Sequence, residues 1–252
     1  SYYEIFSLGN YNKNIQFTHF QAANSGLETM PQNLKAASFI ASATFITKIP
    51  KGTSIDEVDL RHTPLVEIAT PIKIKQLNIE GTPIGTLPNG LSFEELNASV
   101  CTNLKSLPND IKISKKLTVA GSAIQSLPPL ETETVYLINC KNIHSLPAEC
   151  KISKLLAQGS GITFLPPNFK VGVIFLETSQ IEYLPQGFEA SMCNVSKTPL
   201  KKIQENVCVD TLICSNTQLS EVPASLKTNI FEAVDCPCLT NLPFGFTATK
   251  KI

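Results

Sequence analysis

The 252-residue chain has no tryptophan, only three histidines, and fewer glycines (12) than prolines (17). Neither charge is in excess, because 21 Lys and Arg balance 21 Asp and Glu. A basic surplus is what draws a protein to a phosphate backbone, so no nucleic-acid partner is expected. No apolar run approaches the ~20 residues that cross a bilayer, so no membrane insertion is expected. The opening stretch SYYEIFSLGN lacks the charged segment and apolar core of a secretory signal. Catalytic signatures are equally scarce. There is no glycine-rich phosphate loop, no paired-histidine motif and no Gly-x-Ser-x-Gly elbow. His19, His62 and His144 stand far apart in the chain. The chain is expected to hold no metal, no cofactor and no catalytic residue, and not to be an enzyme. The 42% hydrophobic content nevertheless supports a folded core.

One stretch does suggest reactivity. In VYLINCKNIHSLP, Cys140 precedes His144 by four residues, which on a helix would set thiol and imidazole on one face. The prolines decide otherwise. Aliphatic-Pro pairs end at positions 31, 50, 88, 108, 128, 147, 166, 185, 223 and 243, and the successive gaps from 88 to 185 are 20, 20, 19, 19 and 19. The two double gaps are bridged by Ile68-Ala69 and Ile203-Gln204. The chain is one repeat of about twelve units. Cys140 and His144 fill ordinary repeat positions, and the segment is no helix.

Aligned on these markers, each unit reads aliphatic-Pro-x-x-φ, then x-φ-x-φ-x, then a small polar residue, then φ-x-x-φ, where φ is apolar. The alternating pentapeptides EVDLR (57–61), QLNIE (76–80), KLTVA (116–120), VIFLE (173–177) and TLICS (211–215) read as short strands with second and fourth residues inward. One strand per unit in a constant direction makes a parallel ladder. The ~14 residues that remain leave no room for a full helix, and the aliphatic-Pro step favours extended, polyproline-like returns. The expected fold is a mainly β solenoid with little helix over residues 19–252, preceded by a cap at 1–18 that reads as a hairpin around GNYNKN. PFGFTATKKI stops where the strand of a thirteenth unit belongs, so that end reads as truncated or atypically capped.

These repeats resemble the leucine-rich repeat, in the short bacterial type with LP in each unit that is familiar from secreted effectors acting inside host cells. The resemblance implies a concave ladder face, convex returns and a protein-binding role in the host cytoplasm. The family's post-strand asparagine is absent, and its slot holds Thr44, Thr63, Thr82, Cys101, Ser122, Cys140, Ser160, Ser179, Thr198, Thr217 and Cys236. A hydroxyl or thiol cannot copy both roles of an amide, so a looser ladder is expected. The CVD stretch (208–210) matches a motif of repeat effectors that are ubiquitin ligases. Theirs lies in a separate helical domain, whereas this one reads as lying between strands and as inert.

Of the eight cysteines, Cys150, Cys193 and Cys214 take inward positions and Cys101, Cys140 and Cys236 take the polar slot, so free thiols in a reducing cytosol are expected rather than disulfides. The middle outward residue of each strand forms one column across the ladder. Glu57, Asp59, Glu80 and Glu95 make its first half acidic, and then Tyr136, Leu156 and Phe175 fall on consecutive strands with Ile138 and Met192 beside them and Ile213 beyond. This apolar patch is the expected site for a protein partner on a monomeric chain, with the acidic stretch next in order. Two other readings remain open: a targeting domain for an enzyme domain absent from this chain, and an extracellular recognition or adhesion protein, which the cysteine count and the sequons NAS (97–99) and NVS (194–196) favour.

Overall fold

A computed structural model describes residues 18–248, 250 and 251, so the expected cap lies, but for Thr18, outside the described residues. The chain divides into two compact units, Ser1–Ile124 and Gln125–Ile252.

Unit 1 holds β1 (His19–Gln21), β2 (Lys35–Ile40), β3 (Lys48–Ile49), β4 (Ser54–Asp59), β5 (Glu67–Ile68), β6 (Lys73–Asn78), β7 (Ser92–Asn97) and β8 (Lys112–Thr118). The long strands pair in parallel in the order β1-β2-β4-β6-β7-β8. Their register stacks Phe20, Phe39, Val58, Leu77, Leu96 and Leu117 in one inward column, all buried. Across the core, β3 pairs with β5 on the return side.

Unit 2 holds β9 (Glu131–Tyr136), β10 (Lys151–Leu156), β11 (Lys170–Phe175), β12 (Tyr183–Leu184), β13 (Glu189–Asn194), β14 (Lys202–Ile203), β15 (Cys208–Ile213), β16 (Ile230–Glu232) and β17 (Lys250–Lys251). Its ladder runs β9-β10-β11-β13-β15-β16-β17, again parallel, over the buried column Val135, Leu155, Ile174, Cys193, Leu212 and Phe231. The short β12 and β14 pair on its return side. Each unit is therefore a parallel β-solenoid of leucine-rich-repeat type, and no helix occurs among the described residues.

Two expectations need correction. The strands begin three residues before the alternating pentapeptides, as β4 does at Ser54, because residues just after the Pro-x-x step already pair (Ser54 with Lys73, Ile55 with Ile74). Ile55 and Val58 are both buried although strict alternation would place residues three apart on opposite faces, so the strand bends between them. Second, Cys208 opens β15 instead of lying between strands, because residues 208–210 belong to the early-starting half of the strand. A two-residue strand, β17, stands one repeat after β16 and pairs Ile230 with Lys250.

The polar slot ties the turns in a way that depends on residue type. The hydroxyls of Thr44, Thr63, Thr82, Thr198 and Thr217 each donate to the carbonyl three residues back, at 2.6–2.8 Å, closing their own turn. The thiols of Cys101 and Cys236 reach the preceding turn, donating to Ile79 O and Cys214 O at 3.2 Å. The residue before the slot takes a left-handed conformation in turn after turn, β-branched Val100 (φ 57°) and Thr178 (φ 58°) included. Such strain persists only where neighbours hold it. Here the backbone N–H of Val100 donates to Ala120 O at 2.8 Å, and that of Thr178 to Ser196 O at 3.2 Å.

Candidate functional site

Successive strands carry their outward residues directly beside one another, so the ladder register defines the site. In unit 2 the pairs run Tyr136–Leu156, Leu156–Phe175, Phe175–Asn194, Asn194–Ile213 and Ile213–Glu232. A parallel column two residues earlier runs Thr134, Lys154, Val173, Met192, Thr211 and Ile230. Tyr136, Leu156 and Phe175 are thus immediate lateral neighbours, flanked by Val173 and Met192. Ile138 continues the outward alternation beyond Tyr136.

The apolar side chains Tyr136, Ile138, Leu156, Val173, Phe175 and Met192 are half-buried. Neighbours about 4.8 Å apart cover each other's flanks, which leaves a flat apolar surface rather than projecting side chains. The patch is therefore half-shielded by its own members. Strongly exposed apolar residues lie elsewhere, among them Phe45, Val66 and Val100 in unit 1 and Phe164 and Phe244 in unit 2, all outside the long strands.

The acidic stretch in unit 1 is more neutral than its sequence suggests. Asp59 is buried, and Arg61 reaches it with Nε at 3.1 Å from both carboxylate oxygens and Nη2 at 2.9 Å from one. Glu95 pairs with Lys116 Nζ at 2.5 Å, and Glu80 Oε2 accepts from Asn97 Nδ2 at 3.1 Å. Asp59, Glu95, Asn97, Lys116 and Glu57 line a hollow of about 240 Å³. The pairing cations Arg61 and Lys116 escape a reading that counts acids alone, although the i, i+2 and i, i+21 spacings place both beside their partners.

Sequence reasoning also missed Gln158 and Glu177. They stand two residues after Leu156 and Phe175, where the alternation that found Ile138 would have found them. Burial pushes the Glu177 carboxyl above its ordinary range. A larger hollow of about 680 Å³ lies on the return side of unit 2, but its lining charges Lys202 and Glu221 pair with each other at 2.7 Å. Among the described residues no cluster of His, Cys, Asp or Glu could hold a metal ion, and no helix is long and apolar enough to cross a membrane.

None of the eight cysteines, all among the described residues, is in a disulfide. Burial raises the thiols of Cys101, Cys150, Cys193 and Cys214, which makes them poor nucleophiles. Cys140 is buried in its slot and His144 Nδ1 lies 3.2 Å from Gly161 O, so the two serve separate structural roles.

No family model and no curated protein matches the chain. Among solved structures, the chain is similar to YopM from Yersinia enterocolitica WA-314, with 16% identity over 88% of this chain and a TM-score of 0.43. The match spans 61% of that protein's length. The fold assignment rests on the ladder itself, and by its 19-residue parallel register the chain is a solenoid of leucine-rich-repeat type.

Proposed function

We propose that the chain is a monomeric protein-interaction module, an effector or the recognition domain of one, that works in the reducing cytosol of a host cell. Its partner lies on the ladder face of unit 2. The observation that carries this reading is the run Tyr136, Leu156, Phe175 on three consecutive strands, with Val173 and Met192 beside it. A folded chain gains little from lining water with five large apolar side chains, and aromatic anchors with a polar border (Thr134, Lys154, Asn194) are what interfaces use. The resemblance of the LP repeats to effector repeats supports the cellular setting, and eight cysteines outside any disulfide support a reducing compartment.

Immobilised chain exposed to host-cell cytosol tests this. The wild type is expected to retain a specific protein that the Tyr136→Ala, Phe175→Ala double variant loses. Both residues are half-buried, so the variant should melt modestly lower, by about 1–2 kcal/mol in total, and remain folded. Equal retention by the two chains would move the site to the hollow around Asp59 in unit 1.

A further inference from the structure

The ladder face of unit 2 carries two buried acceptor atoms with nothing to accept from. Gln158 and Glu177 lie side by side, two residues beyond the paired Leu156 and Phe175, and Gly159 N donates to Glu177 O at 2.8 Å to hold the segments in register. Gln158 Oε1 and Glu177 Oε2 are both shielded from water, and neither has a hydrogen-bond partner. The other carboxylate oxygen, Oε1, accepts from Asn194 Nδ2 at 2.8 Å. The ion pairs among the described residues engage nine other carboxylates and leave Glu177 without a cation. Lys141, in the same region, gives its Nζ to Gly159 O.

Buried acceptors left unsatisfied are costly, and a carboxylate more so than an amide. What would satisfy both at once has several N–H donors in a rigid arrangement and a positive charge. An apolar group would leave them unpaired, and an anion would be repelled. A guanidinium fits: its planar fork offers five donors, enough to span two acceptors on adjacent strands. The surroundings are also suited to such a side chain, because Leu156, Phe175 and Ile138 supply an apolar bed for its methylene stem and for the residues next to it.

We propose that Gln158 and Glu177, whose half-buried side chains turn outward on binding, form the recognition point for an arginine of the protein partner, whose N–H groups then donate to Glu177 Oε2 and Gln158 Oε1 while adjacent aliphatic or aromatic partner residues rest on Leu156 and Phe175. This rests on the protein-interaction reading and names the chemistry the partner must present.

A phage-displayed library of random dodecapeptides selected on the folded chain tests it. The selected peptides are expected to carry an arginine next to an aliphatic or aromatic residue. Replacing that arginine with citrulline, or the chain's Glu177→Gln, should weaken binding about tenfold or more, while a lysine replacement should retain part of the affinity. The Glu177→Gln chain should melt no lower than wild type, which separates loss of the contact from loss of the fold. Peptides that need Tyr136 and Phe175 yet bind the Glu177→Gln chain unchanged would overturn the arginine and leave the face standing. The Gln158 amide would then be turned to donate to Glu177 and close the pair internally. Failure to select peptides, or peptides indifferent to both sets of variants, would overturn the face together with its recognition point.

Discussion

Thr82 and Cys101 fill the same slot in successive turns and converge on one carbonyl. Ile79 O accepts the Thr82 hydroxyl at 2.8 Å and the Cys101 thiol at 3.2 Å, with the two side-chain donors 3.6 Å apart. The arrangement recurs in unit 2, where Cys214 O accepts Thr217 Oγ1 at 2.7 Å and Cys236 Sγ at 3.2 Å. The hydroxyl closes its own turn and the thiol staples the next turn to it.

Thr82→Val, nearly equal in shape, removes the hydroxyl from a buried site and should cost about 1–2 kcal/mol, whereas Thr82→Ser keeps the donor and should cost less. Denaturant unfolding of the two variants checks this. Equal stabilities would mean that the hydroxyl contributes only its volume.

Strand register makes a sharper demand. Leu176 is fully buried, so Leu176→Asp places a charge in the core of unit 2 and should cost several kcal/mol. Asn78 is half-exposed, and its Oδ1 already accepts from Glu80 N at 3.2 Å, a role that Asp can keep. Asn78→Asp should therefore shift the melting temperature little. Equal losses would mean that inward and outward positions are exchanged.

Much of this is legible in the amino-acid sequence. The inward residues Val58, Leu60, Leu77 and Leu176 follow from alternation, and the unit length follows from the proline spacing. Strand starts were not legible, because Ile55 and Val58 break alternation at a bend that only cross-strand pairing reveals. The column Tyr136, Leu156, Phe175 could be read because a parallel ladder converts a 19-residue period into lateral contact. Its half-burial could not, since shielding depends on both neighbours at once. Arg61 and Lys116 neutralise the acidic stretch through side-chain reach, which a tally of charges does not contain.

Titration behaviour should mark Glu177. Burial raises its folded-state value above the ordinary 4.5. The folded chain thus holds this proton more tightly than the unfolded chain does. The associated stability is present below 4.5 and is lost as pH rises through the raised value. Glu177→Gln abolishes that loss, so its stability relative to wild type should improve as pH climbs from below 4.5 and then level off. A gap that stays constant across this range would contradict a desolvated carboxyl.

Thiol reactivity should divide by burial. Unfolded under non-reducing conditions, the chain should titrate close to eight thiols. Folded, Cys208 and Cys238 should react fast, and the buried Cys101, Cys140, Cys150, Cys193 and Cys214 should be protected. A denatured chain with no titratable thiol would place the protein in the extracellular class.

The claim at the centre of the account is that the partner sits on the ladder face of unit 2. A photo-crosslinking amino acid at Met192, beside Phe175 on that face, should form a discrete adduct with one protein of host-cell cytosol. The same group at exposed Phe164, outside the strands, should not. The Met192 adduct should disappear when Tyr136→Ala and Phe175→Ala are added. An adduct from Phe164 with none from Met192 would contradict the account.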